Sequence, residues 1–148
     1  MKVAKFAKIK EENFDKFFTD LEIVLIENNV AMQAIEFLKE KKTVNIIRGE
    51  HPTNIFAFGS TYMSVLEALK YGNINPSAIQ PIYLNPLPNW ELEEFKNQDN
   101  IVVEQSISGQ FTALLQEKAG LNIKHTIKRY DGRPFDPIKL SKRIKEVL

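Results

Sequence analysis

The feature that most constrains this fold is a regular alternation of short apolar runs with segments of amphipathic-helix spacing. Between the runs, apolar residues recur three and four positions apart, as on one face of a helix. Strands that alternate with helices of about ten residues favour a mainly parallel sheet with helices on both faces. The sequence therefore predicts an α/β fold. The apolar runs are Ile55–Phe58, Ile79–Leu84, Ile101–Val103 and Ile123–Ile127.

The chain before residue 55 is less regular. Leu21–Ile26 is predicted as a strand, residues 30–41 as a helix and Thr43–Ile47 as extended chain. His51–Asn54 contains a proline and is predicted to interrupt the regular structure. Because no low-complexity linker separates the segments, residues 1–148 are predicted to form a single domain.

Composition excludes several classes of function. The 148 residues carry a net charge of +1, which gives no electrostatic reason to expect nucleic-acid binding. The chain has no cysteine, so it can hold neither a disulfide nor an iron–sulfur cluster of the usual cysteine-ligated kind. No apolar run has the length of a membrane span, and the basic N-terminus lacks the apolar core of a signal peptide. We therefore expect a cytoplasmic protein with no membrane partner.

Common catalytic motifs are also missing. The sequence contains no Gly-x-x-x-x-Gly-Lys-Ser/Thr loop, no Gly-x-Gly-x-x-Gly fingerprint and no Gly-x-Ser-x-Gly elbow. The two histidines, His51 and His125, are too far apart in sequence for a paired metal-ligand motif. A self-contained enzyme is therefore not expected, and neither is a metal site.

Two strand ends carry candidate site residues. Gly59, Ser60 and Thr61 follow one strand and open a helix, whose free N–H groups can bind an anion; the alternative is a tight turn capped by Ser60. Glu104 ends another strand, where a carboxylate can act as a base or fix neighbouring amides. Ser108 is predicted to cap the following helix, and Gly109, next to Gln110, permits close approach of another backbone or subunit.

The turn at Asp131–Pro134 is the third candidate. Asp131-Gly132 favours a turn with positive φ at the glycine, and Pro134 holds Arg133 extended. Arg133 is then placed for a bidentate bond to a carboxylate or phosphate, or for a salt bridge within the domain that pins the last helix.

These segments together resemble the C-terminal part of the alpha subunit of 2-oxoacid:ferredoxin oxidoreductases, over residues 54–148; residues 1–53 match poorly. The resemblance rests on Ile55–Thr61, on Pro81–Pro88, on the strand-end Glu104 with its Gly109-Gln110 pair, and on Asp131–Pro134. The family pattern is broken in two places: Gln105-Ser106 replaces an Asn-Asn pair, and Leu87 replaces an aromatic residue.

The resemblance implies a three-layer α/β/α sandwich similar to the C-terminal domain of transketolase. It also implies a non-catalytic domain or small subunit that helps to assemble an enzyme acting on 2-oxoacids such as pyruvate. Thiamine diphosphate, Mg and iron–sulfur clusters would be held by partner domains or subunits, and ferredoxin would be an indirect partner. Asn28-Asn29 has no Gly-Asp-Gly before it, so the family's metal-diphosphate motif is absent. A binding module for a small anionic ligand remains the alternative.

Overall fold

The structure is a computed structural model that describes residues 18–21, 23 and 40–148. Its contacts divide the chain into two compact units, Met1–Lys42 and Thr43–Leu148. In the first unit, Leu21 and Ile23 are helical, so the predicted strand at Leu21–Ile26 is wrong at these two positions. The rest of that strand, and nearly all of the helix predicted at 30–41, lie outside the described residues. The prediction of one domain over 1–148 stays a prediction.

The second unit contains a five-stranded sheet with the strand order β1-β3-β2-β4-β5. β1 runs antiparallel to β3, and every other neighbouring pair is parallel. The strands are β1 Val44–Ile47, β2 His51–Ala57, β3 Pro76–Pro81, β4 Asp99–Glu104 and β5 Ile123–Lys128.

The helices follow the strands in sequence, as the alternation predicted. α2 is a single turn, and a short 3-10 helix, Glu93–Phe95, continues it. The others are longer and each buries one apolar stripe. They are α1 Ser60–Gly72, α2 Asn89–Leu92, α3 Gln110–Ala119 and α4 Pro137–Lys145.

Two apolar clusters lie on opposite faces of the sheet. The first joins Ile55, Ile101 and Val103 to buried residues of α1 and α4. The second joins Phe56 and Val102 to α2, the 3-10 helix and α3. Neighbouring strand residues point to opposite faces, and here both faces are buried, which is typical of parallel sheets. The structure thus confirms an α/β/α sandwich with a mostly parallel sheet. No helix in the described ranges is long and apolar enough to cross a membrane.

The predicted interruption at His51–Asn54 is wrong, because these residues begin β2. Thr53 and Asn54 are buried and pair with Asp99 and Asn100 of β4. Between His51 and Asn54 the pairing with β3 shifts register, and Pro52 lies in this irregular part of the strand. A bulge is one of the few places in a sheet that tolerates proline.

Two buried asparagines tie the amino ends of the parallel strands together. The Asn54 amide donates to the side-chain oxygen of Asn100 over 3.1 Å. The Asn100 amide in turn donates to the carbonyls of Phe95, Gln98 and Asn122. Because buried polar groups are costly when unpaired, this network fixes the connections at that edge of the sheet.

The antiparallel edge strand is held by the chain around α2. The backbone N–H of Thr43 donates to Glu91 over 2.8 Å, and the Thr43 hydroxyl donates to the same oxygen. Arg48 pairs with Glu94 at 2.7 Å and lies over the ring of Phe95. These contacts fix β1 at the edge of the sheet.

Candidate functional site

The strand order places a cleft between the carboxyl ends of β2 and β4. The chain runs from β2 to its neighbour β3 on one side, and from β4 to its neighbour β5 on the other. The loops after β2 and β4 therefore diverge, which is where α/β sheets place their ligands. The cleft has a volume of about 610 Å³. Its lining includes Phe58, Gly59, Ser60, Thr61, Leu84, Glu104, Gln105, Ser106, Gln110, Phe111 and Leu114.

One wall of the cleft is the turn from β2 into α1. Gly59 is the residue before the helix and has φ 58° and ψ −139°, a backbone conformation that residues other than glycine rarely adopt. The predicted cap by Ser60 is wrong, because Ser60 is the first helical residue and Gly59 precedes the helix. The N–H of Tyr62 donates to the carbonyl of Gly59 over 3.2 Å. Among the described residues, no side chain accepts a hydrogen bond from the first-turn N–H groups of α1.

The opposite wall is the turn from β4 into α3, where Glu104 is 4% exposed. One carboxylate oxygen accepts from the N–H of Phe111 over 3.0 Å. The other accepts from the N–H and the hydroxyl of Thr112, over 3.2 and 2.5 Å. A carboxylate at the positive end of a helix dipole is electrostatically favoured. In these contacts Glu104 fixes the backbone amides of α3, one of the two roles predicted for it.

Ser106 completes this turn. Its hydroxyl oxygen accepts from the N–H of Gly109 over 2.9 Å and of Gln110 over 3.3 Å. The predicted cap by Ser108 is therefore wrong, because Gly109 precedes the helix and Ser106 takes the capping contacts. Gly109 has φ 75°, and a Cβ added there would lie 3.2 Å from the Lys128 amino group. The group nearest to Gly109 is therefore a side chain of the same chain, and the approach of another backbone or subunit stays a prediction.

The turn after β5 has the positive φ predicted at its glycine, since Gly132 has φ 75°. Its ion pair, however, is formed by Arg129, which donates to both carboxylate oxygens of Asp131 over 2.7 and 2.9 Å. Arg129 thereby holds the pKa of Asp131 well below its usual range. Arg133 is exposed and has no ion pair among the described residues, so the salt bridge predicted for it within the domain is not formed there.

The backbone of Arg133 nevertheless braces the site. Its carbonyl oxygen accepts from the Gln105 side chain over 2.7 Å, which links the turn after β5 to the turn after β4. The N–H of Arg129 donates to the carbonyl of Glu104 over 3.1 Å. The two turns are therefore fixed to one another.

Five of the eight predicted residues meet in the cleft: Gly59, Ser60, Thr61, Glu104 and Gln110. Gly109, Asp131 and Arg133 are not among its lining residues. Sequence reasoning missed Ser106 and Arg129, although Arg129 stands two positions before Asp131. It also missed the apolar lining, in which the rings of Phe58 and Phe111 lie 6.0 Å apart.

The carboxylate of the cleft is already engaged. Glu104, the one acidic residue among the described lining residues, accepts three hydrogen bonds from α3. Within the described ranges, no three or more His, Cys, Asp or Glu residues are grouped so as to hold a metal ion. The other described lining residues are aromatic, aliphatic, small or amide-bearing. Such a lining can receive an apolar group or an anion.

Comparison with solved structures found a protein that contains a similar fold. A 2-oxoglutarate:ferredoxin oxidoreductase from Magnetococcus marinus, with 2-oxoglutarate, coenzyme A and succinyl-CoA bound, matches 75% of the chain with a TM-score of 0.64. The fold is similar to part of that oxidoreductase. Sequence identity over the match is 25%, and the match covers 20% of the longer chain. This likeness supports a relation to the 2-oxoacid:ferredoxin oxidoreductases.

Sequence comparison alone adds nothing to this likeness. No family model matches the chain, and no curated protein matches it significantly. The match spans about a fifth of the oxidoreductase chain that this chain resembles.

Proposed function

We propose that this chain is a non-catalytic C-terminal domain or small subunit of a 2-oxoacid:ferredoxin oxidoreductase. It contributes to the assembly of the complex and is not active alone. Thiamine diphosphate, Mg and iron–sulfur clusters belong to partner domains or subunits, which catalyse the decarboxylation and pass electrons to ferredoxin. We expect the complex in the cytoplasm.

The observation that carries this proposal is the structural match to one fifth of a longer oxidoreductase chain. A match of that extent corresponds to one domain of a multi-domain enzyme. The cleft supports the same proposal, because its carboxylate is engaged in holding α3. A chain without cysteine also needs partners for electron transfer through clusters.

The experiment is a tagged pull-down of this chain from its native cell extract. Mass spectrometry identifies the co-purifying subunits, and 2-oxoacid-dependent reduction of a viologen dye measures activity. The proposal predicts co-purification of thiamine- and cluster-bearing subunits together with that activity. Recovery of the 17.1 kDa chain without these subunits and without activity would contradict it.

The alternative is a binding module for a small anionic ligand. It is favoured by one observation: α1 begins at the cleft, and within the described part of the chain no side chain caps it, so that its first N–H groups can contact an anion. Coenzyme A is a suitable probe because the structurally similar oxidoreductase binds it. Saturable binding of coenzyme A by the isolated chain, measured by calorimetry, would favour this alternative over a purely assembling domain.

A further inference from the structure

The last segment of the chain is strongly basic although the chain as a whole is nearly neutral. Residues 123–148 contain three acidic side chains, Asp131, Asp136 and Glu146. The same residues contain many more lysines and arginines, so positive charge is concentrated in β5, the turn after it and α4. The basic residues are Lys124, Lys128, Arg129, Arg133, Lys139, Lys142, Arg143 and Lys145.

Two of the three carboxylates are already engaged. Asp131 is bonded to Arg129 on both oxygens, and Asp136 accepts from the N–H of Lys139 as the cap of α4. Five cations of the turn and of α4 have no ion pair within the described part of the chain, and we call them the basic face. They are Arg133, Lys139, Lys142, Arg143 and Lys145.

The basic face lies on α4 and on the turn that precedes it. α4 buries Leu140 and Ile144 in the core and leaves its four cations exposed. Arg143 donates to the carbonyl of Lys128 over 3.2 Å, which joins α4 to the end of β5. The turn that carries Arg133 lies between these two elements in sequence.

Large apolar side chains lie among these cations. Tyr130 is 70% exposed in the turn, and Ile138 is 51% exposed in the first turn of α4. Exposed aromatic and aliphatic residues beside arginine are typical of protein–protein interfaces. Duplex DNA would be bound mainly through its phosphates, and phosphate contacts would leave these apolar side chains without a partner.

We propose that the basic face docks onto an acidic, partly apolar surface of another subunit in the same complex. This inference rests on the proposed function and names the surface through which the assembly is made. Unpaired like charges repel one another in the free chain, and an acidic partner both relieves that repulsion and steers association. Tyr130 and Ile138 supply the apolar contact.

The test uses a double charge reversal, Arg133→Glu with Lys142→Glu, because neither side chain makes a hydrogen bond or ion pair among the described residues. The matched control, Lys42→Glu with Lys70→Glu, makes the same change in net charge at exposed positions outside the basic face. Circular dichroism establishes that both variants fold. The wild type and both variants are then pulled down from native extract, and the oxidoreductase subunits are quantified.

We expect the basic-face variant to retain about a tenth or less of the partner that the wild type and the control retain. Equal retention by all three proteins would overturn the inference and leave the proposed function intact. Absence of oxidoreductase subunits from the wild-type eluate would instead contradict the proposed function.

A second measurement tests whether the basic face binds an acidic chain, without the need for a native partner. The labelled chain is titrated with poly-L-glutamate at low and physiological ionic strength while NMR records amide shifts. We expect shifts centred on residues 128–145 that weaken with salt and are lost in the basic-face variant. The inference would be overturned by any of three results: no shift, equal shifts in the variant, or tighter binding of duplex DNA than of poly-L-glutamate.

Discussion

Two turns at the same edge of the sheet connect a parallel strand to a helix, and both place a glycine of positive φ before the helix. In the turn after β4, Glu104 and Ser106 accept from the first N–H groups of α3. In the turn after β2, no side chain of the described residues accepts from the first N–H groups of α1. One helix start is therefore closed by the chain itself, and the other is left open.

The difference shows how one sheet edge can combine rigidity with a place for a ligand or partner. The closed turn is braced further by Gln105, whose side chain holds the carbonyl of Arg133. The open turn forms the opposite wall of the cleft, with Phe58 40% exposed beside it. We infer that the closed turn is structural and that the open turn is the part of the cleft available for binding.

Removal of Glu104 should have the largest effect on stability. Glu104→Ala leaves the buried N–H of Phe111 without its acceptor and should lower the free energy of unfolding by about 3 kcal/mol. Ser60→Ala in the open turn is the matched control and should change it little, because Ser60 caps nothing. Urea unfolding measures both. Equal effects of the two substitutions would refute the distinction between the turns.

Alanine substitution of Gly59 or Gly109 should lower the free energy of unfolding by a smaller amount. The loss should be greater at Gly59, although Gly59 has more free space around it. A Cβ at Gly59 meets nothing within 4 Å, whereas one at Gly109 meets Lys128 at 3.2 Å. The ψ of Gly59 is nevertheless less accessible to alanine than the left-handed conformation of Gly109. We expect a loss of about 2 kcal/mol at Gly59 and about 1 kcal/mol at Gly109. A larger loss at Gly109 would mean that crowding dominates.

Ser106 should contribute less than Glu104 to the closed turn. Ser106→Ala removes the acceptor for two N–H groups that are partly accessible to water, so the expected loss is about 1 kcal/mol. Ser106→Asp should restore stability, since a carboxylate also caps helices. Thermal unfolding of the two variants checks this, and no rescue by Asp would contradict the capping role.

The smallest expected effect is the pH dependence from Asp131. Arg129 lowers the folded-state pKa of Asp131, so the pair stabilises the protein fully above the unfolded pKa of about 4. That stabilisation is lost as the pH falls further, and it is small because the pair is exposed to solvent. Asp131→Asn should therefore slightly lower the free energy of unfolding at neutral pH. The variant should then lose less stability than the wild type as the pH falls. If the variant loses as much stability in acid as the wild type, the Arg129–Asp131 pair is not the source of that loss.

The sequence predicted the sheet better than the turns. Ile55, Ile101 and Ile123 begin apolar runs that alternate with helical spacing, and a buried parallel sheet follows from that pattern alone. Near β2 the prediction failed because proline in His51–Asn54 suggested a break, whereas pairing of Thr53 and Asn54 with β4 extends the strand. Local signals cannot reveal such long-range pairing.

The capping residues were harder to predict. Ser60 and Ser108 stand where a cap is expected, yet Glu104 and Ser106 reach α3 from further back along the chain. For the turn after β5, the sequence correctly marked Asp131-Gly132, but the choice between Arg129 and Arg133 as partner depends on side-chain geometry. The predicted positions were therefore more reliable than the predicted partners.

The most direct test of the account is native mass spectrometry of the tagged chain purified from its own cells. The account predicts an assembly far heavier than 17.1 kDa, which dissociates into this chain and subunits that carry thiamine diphosphate and iron–sulfur clusters. A species at the mass of the chain alone, or an assembly without those cofactors, would contradict it.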